Sequence, residues 1–145
     1  DILWSRFGIE GKSVLDLFAG TGALGIEALS RGASEAYFVD RSREAVKVIK
    51  SNLSRLEIEP HSYTVVNSDY ESFLTAYRGE RFDIAFLDPP YAFSDWDELL
   101  LMVPATIMVC ETGNPIQPPL GLEKLLERKY GTTVVTLILG SDSGS

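Results

Sequence analysis

Histidine and cysteine are almost missing from this chain, with one of each in 145 residues. A single cysteine, Cys110, excludes an internal disulfide and a multi-cysteine zinc site, and it fits a reducing compartment. The lone His61 falls in a turn without partner ligands, so no metal is expected. Long apolar runs are missing too. Nothing is long enough to span a bilayer, and no signal-peptide pattern opens the chain. A cytoplasmic location without a membrane partner is therefore the expectation. Positive charge is scarce: 13 Lys and Arg against 21 Asp and Glu give a net charge of -8. Residues 1–60 carry 8 basic and 9 acidic side chains, whereas residues 61–145 carry 5 and 12. That acidic second half argues against a broad nucleic-acid-binding face. The chain opens on Asp1 rather than Met, which is read as a fragment of a longer protein.

The length is that of one domain, and 45% of the residues are apolar. Short apolar runs at 13–18, 35–40, 63–67, 82–87, 106–111 and 132–139 read as strands. Helical patterns over about 23–31, 45–56 and 96–102, with a short helix after Asp69, fall between them. Ser42 is placed as an N-cap, and Gly32 is placed to end the first helix. Residues 122–130 fit a helix or a strand; if a strand, Gly131 turns it into an antiparallel hairpin at the sheet edge. The alternation predicts an α/β fold: a mostly parallel, Rossmann-like sheet with helices on both faces. A single domain is expected over 1–139, with 140–145 as a flexible tail.

Chemistry concentrates at two strand ends. "LDLFAGTGALG" sets Gly20-x-Gly22-x-x-Gly25 between a strand and a helix, and Asp40 ends the next strand twenty residues after Gly20. Glycines let the backbone approach a ligand, and a strand-terminal acid accepts ribose hydroxyls. The spacing suits several nucleotide-like cofactors, and Asp16 separates them. A carboxylate just before the turn opposes a pyrophosphate but favours the sulfonium and ammonium of S-adenosylmethionine, directly or by fixing the turn through backbone N–H groups. Asp16 as a loop-shaping acceptor without ligand contact is the alternative. Asp69 suits either an adenine amino group or a helix N-cap. Arg41 and Arg43 fit a solvated helix start better than a ligand contact.

The second end is "FLDPPYAF" (86–93). An exocyclic amino nitrogen is a poor nucleophile because its lone pair is delocalised into the ring. Two acceptors, one per N–H, favour a pyramidal nitrogen aimed at a methyl donor. Asp88 supplies one acceptor. A carbonyl of Asp88 or Pro89, fixed in direction by Pro89 and Pro90, supplies the other. Tyr91 can stack on a flipped-out base. Cys110 lies inside an apolar strand, so methyl transfer to cytosine C5, which needs an exposed cysteine nucleophile, is set aside.

"VLDLFAGTGALGIEALSRGA" (14–33), "VVNSD" (65–69) and "FLDPPY" (86–91) resemble the bacterial small-subunit ribosomal RNA guanine-N2 methyltransferase family. The likeness runs from about Gly11 to Cys110. It implies an S-adenosylmethionine-dependent enzyme, a seven-stranded sheet with a C-terminal antiparallel hairpin, and ribosomal RNA or the small ribosomal subunit as partner. It further implies cofactor contacts at Asp16, Phe18, Ala19, Gly20, Thr21, Gly22, Asp40, Arg41 and Asp69, and a catalytic motif from Asp88 to Tyr91. The family's basic N-terminal segment is absent here, and "SDWDE" (94–98) puts three acids beside the expected RNA path. A monomer is the favoured state. DNA adenine-N6 and protein glutamine-N5 methylation remain alternatives within the same chemistry, though glutamine enzymes usually carry Asn at the position of Asp88. An NAD-dependent dehydrogenase and a non-catalytic cofactor-binding adaptor are the alternatives outside it.

Overall fold

The computed structural model describes residues 8–141. Seven strands form one sheet: β1 (Ser13–Leu17), β2 (Glu35–Asp40), β3 (Tyr63–Asn67), β4 (Phe82–Leu87), β5 (Ala105–Thr112), β6 (Glu123–Tyr130) and β7 (Thr133–Leu139). Their order is β3-β2-β1-β4-β5-β7-β6. The first five run parallel, and β7 pairs antiparallel with both β5 and β6. Four helices connect them: α1 (Ala23–Ser30), α2 (Arg43–Arg55), α3 (Tyr70–Ala76) and α4 (Trp96–Met102).

Strand alternation divides the core between the two faces of the sheet. Val14, Ala36, Phe38, Ile84 and Phe86 meet Ile26 and Ala28 of α1 and Ile49 and Leu53 of α2. Leu15, Leu17, Ala85, Leu87 and Met108 meet Phe73 and Leu74 of α3 and Leu99 and Leu100 of α4. A sheet buried on both faces needs near-continuous apolar strands, and β1 and β4 are buried over almost their whole length. Ser42 caps α2 by accepting from Ala45 N–H at 3.2 Å.

Residues 122–130 resolve as strand and close the expected hairpin through Gly131, whose φ is +62°. Their charged residues defeat a simple periodicity because β6 is an edge strand with most of its length exposed. Residues 140 and 141 of the expected tail are bonded to the body of the protein. Gly140 N–H donates to Thr106 O at 2.8 Å, and Arg81 donates to the carbonyls of Ala105 and Ser141. Residues 142–145 lie outside the described residues. Among the described residues no helix is long and apolar enough to cross a membrane.

The helix α1 lies close on the sheet because Gly25 has no Cβ. One built there would sit 2.4 Å from Phe38 Cε2 and 2.8 Å from its Cζ. Gly25→Ala therefore forces the ring or the helix to shift and should destabilise the protein by about 1–3 kcal/mol, the range for overpacking a filled core. Chemical denaturation reads this directly; an unchanged midpoint would mean that the ring yields without strain.

Candidate active site at the carboxyl edge of the sheet

Strand order reverses between β1 and β4, and the crevice at such a switch point is where open α/β sheets hold ligands. Two cavities lie along this edge. The first, about 800 Å³, is bordered by Phe18 after β1, Asp40 and Arg41 after β2, and Asp69 after β3. The second, about 710 Å³, is bordered by Tyr91, Trp96, Glu111 at the end of β5, and the turn at Thr132 and Thr133. Asp88, Pro90 and Phe93 line both. The two spaces thus meet at the residues that follow β4.

The glycine turn is built from beneath. Asp16 is 2% exposed, and its Oδ2 accepts from Gly25 N–H at 3.0 Å. Burial pushes its carboxyl up to about 8, against the lowering effect of the Gly25 N–H, and the charges of Asp88, Asp40 and Glu111 push the same way as burial. The chain then turns sharply. Phe18 takes φ +67°, rare for a residue with a side chain, and Gly20 and Gly22 take +59° and +81°. Ala19 N–H donates to Val39 O at 2.9 Å, and Gly22 N–H to Ala19 O at 2.8 Å. Thr21 O accepts from Asn52 Nδ2 at 3.0 Å. Ala19 to Gly22 therefore shape the turn behind the first cavity, whose lining reaches this segment at Leu17 and Phe18.

Asp40 bridges two loops. Its Oδ2 accepts from Gly20 N–H at 2.8 Å and its Oδ1 from Ser42 N–H at 2.9 Å. Each oxygen keeps a second lone pair for a ligand hydroxyl. Asn67 Nδ2 donates to the carbonyls of Asp40 and Arg41, each at 3.1 Å, holding the β2 and β3 ends together. Asp69 caps α3, accepting from Ser72 N–H at 2.8 Å and Ser72 Oγ at 2.9 Å, and these bonds hold its carboxyl below the usual range. It also borders the first cavity, so the capping carboxylate stands at the edge of that space.

Beyond β4, burial raises the Asp88 carboxyl. Pro89 is buried, whereas Pro90 is exposed and Tyr91 is 92% exposed. The Tyr91 ring lies against Gly113, where an added Cβ would come within 3.1 Å of Tyr91 Cε2. Phe93 packs edge-on against Phe18, Tyr70 and Trp96 at centroid distances of 5.8, 5.5 and 5.4 Å. This cluster braces the wall between the cavities.

Sequence reasoning placed Phe18, Asp40, Arg41, Asp69, Asp88 and Pro90 around what proves to be one cavity. It missed Ser68, Tyr70 and Glu71 there, and Phe93, Trp96, Glu111 and Gly113 in the second. For Glu111 no local signal existed: it depends on the parallel pairing of Leu87 with Cys110, which sets Asp88, just past β4, beside Glu111 near the end of β5.

A family model described as "Conserved hypothetical protein 95" matches residues 2–139. The chain belongs to this family. The Bacillus subtilis protein named "Putative rRNA methyltransferase YlbH" is 44% identical over 106 residues, which cover 72% of this chain and 57% of that protein. The Haemophilus influenzae "Ribosomal RNA small subunit methyltransferase D" is 36% identical over 92 residues, covering 63% and 48%. The chain thus spans about half the length of these curated relatives. A solved Escherichia coli structure described as "Putative methyltransferase yhhF" superposes with a TM-score of 0.84 at 28% identity, covering 98% of this chain and 84% of that one. The fold is the Rossmann-like methyltransferase fold, and the resemblance to small-subunit ribosomal RNA methyltransferases is borne out as a family relationship.

Asp16 also sets a pH dependence. A carboxyl raised from 3.8 to about 8 binds its proton more tightly folded than unfolded. Its contribution to stability is complete below the ordinary carboxyl range and is lost as pH rises toward that higher value. Asp16→Asn keeps an acceptor for Gly25 N–H and cannot ionise. Between about pH 5 and 8 the variant's thermal midpoint should fall less than the wild type's. Parallel declines would assign the effect to other groups.

Proposed function

We propose that the chain is an S-adenosylmethionine-dependent methyltransferase acting on an exocyclic amino group, with guanine N2 of small-subunit ribosomal RNA as its target. The observation that carries this reading is the pair of cavities sharing Asp88, Pro90 and Phe93. A group transfer between two bound molecules needs two adjoining sites with the reacting atoms at their junction. The ribosomal RNA assignment rests on the relatives' names and on the motifs at 14–33, 65–69 and 86–91.

The first cavity fits the cofactor by charge. Among the described residues its charged lining is Asp40, Asp69, Glu71 and Asp88 against Arg41, a poor cradle for pyrophosphate and a suitable one for a sulfonium and an ammonium. This favours S-adenosylmethionine over a nicotinamide dinucleotide. Asp40 would hold the ribose hydroxyls and Asp69 the adenine amino group. The bound cofactor supplies an electrophilic methyl group. At the junction, Asp88 accepts one amino N–H and the Asp88 or Pro89 carbonyl accepts the other. Asp88 then takes the proton that the nitrogen sheds once its new bond to carbon has formed. Tyr91 and Trp96 border the space for the base.

Calorimetry should show S-adenosylmethionine binding and no NAD binding, and Asp40→Ala should weaken the former by about 1–3 kcal/mol. NAD binding alone would reject the cofactor reading. In single-turnover methylation of small-subunit RNA or assembled small subunits, Asp88→Ala should slow the reaction on the order of 10²–10³-fold. Cofactor affinity should hardly change. A near-normal rate would reduce Asp88 to a loop residue. The wild-type rate should also fall on acidification through a pH above the usual carboxyl range, because burial raises Asp88 and only its ionised form accepts fully. In Asp88→Asn that limb should vanish.

A further inference from the structure

The second cavity holds two carboxylates, Asp88 and Glu111, and among the described residues no Lys, Arg or His lines it. Asp88 follows the last residue of β4, and Glu111 lies in β5 one residue past the Leu87–Cys110 pair, still held in the sheet opposite Val135 of β7. Neighbouring strands run about 4.8 Å apart, so the two acids start from a common edge at close range. Asp88 is exposed at the cavity surface and Glu111 is half-buried. Burial raises both carboxyls, and the charge of Asp88 adds to the rise at Glu111. A half-buried Glu111 beside a second carboxylate, with no basic neighbour among the described residues of the cavity lining, is favoured by a ligand that brings donors to both acids.

Nucleobase edges differ in what they offer. Guanine presents N2–H₂ and N1–H side by side, an unbroken row of donors. Adenine presents N6–H₂ beside a bare ring N1, and cytosine presents N4–H₂ beside a bare ring N3. A carboxylate aimed at either bare nitrogen would face a lone pair. A side-chain amide likewise pairs its N–H₂ with an oxygen acceptor. We propose that Glu111 is the base-reading residue of this site, accepting the ring N1–H of the target guanine while Asp88 accepts an N2–H. This rests on the amino-methyltransferase reading above and selects, within it, guanine against the adenine, cytosine and glutamine alternatives.

The test uses the wild-type protein and Glu111→Gln on small-subunit RNA. The methylated guanine is first mapped by mass spectrometry, then replaced by 2-aminopurine through ligation of a synthetic segment. That base keeps the reacting amino group but carries a lone pair in place of the N1–H. The wild type should prefer guanine by about 10²-fold or more in kcat/KM, as sites built to bond a donor do. Gln can turn its amide to donate to the bare nitrogen, so the variant's preference should fall at least about tenfold. Its S-adenosylmethionine affinity and unfolding midpoint should stay at wild-type values, which a merely structural role would not allow. An unchanged guanine preference in an active variant overturns the role of Glu111 and leaves the methyltransferase reading standing. A variant that loses cofactor binding or fold overturns it too. A wild type that binds cofactor but methylates no guanine N2 overturns both.

Discussion

One buried hydrogen bond organises the reactive edge: Gly25 N–H to Asp16 Oδ2. It fastens the first turn of α1 to the end of β1, with the Phe38 ring filling the place where Gly25 would carry a side chain. With the helix held that close, the chain between them has only residues 18–22 in which to reverse. It does so with left-handed geometry at Phe18, Gly20 and Gly22. The strain at Phe18, of order 1–3 kcal/mol for such a conformation, is held by bonds on either side and by the aromatic packing of its ring. The same turn presents Gly20 N–H to Asp40, which fixes the carboxylate at the neighbouring strand end. The rim of the first cavity therefore follows from a contact that lies below it.

How legible this was depended on distance along the chain. Short apolar runs announce strands, so β1, β2, β4, β5 and β7 were readable, as was the half-buried edge strand β3. Asp40, Asp69 and Asp88 stand where such runs end, and the glycine spacing marks the turn. What stayed hidden depends on alignment between strands. Glu111 matters because Leu87 pairs with Cys110, a fact of register that no local pattern contains. Phe93 and Trp96 become a wall only when Phe18 is brought to them from 75 or more residues away. The strand β6 stayed open between helix and strand because its exposed charges face no core, and the tie of Arg81 to Ser141 spans sixty residues.

Charge also separates the work of the two ends of the molecule. Both cavities are acidic, so neither suits a phosphate. A nucleic acid that presents a base here must keep its backbone outside and send in only the neutral ring, as in base extrusion. The net charge of -8, at odds with a broad nucleic-acid face, is then in keeping with a narrow point of contact.

The contact between Tyr91 and Gly113 carries a consequence for how such a sequence can drift. The loop after β4 and the loop after β5 touch through a ring on one side and an absent side chain on the other. Because that ring is 92% exposed, a larger residue at 113 displaces it into solvent rather than into packed neighbours. Such a change re-aims the aromatic face at the edge of the second cavity and leaves the core beneath untouched.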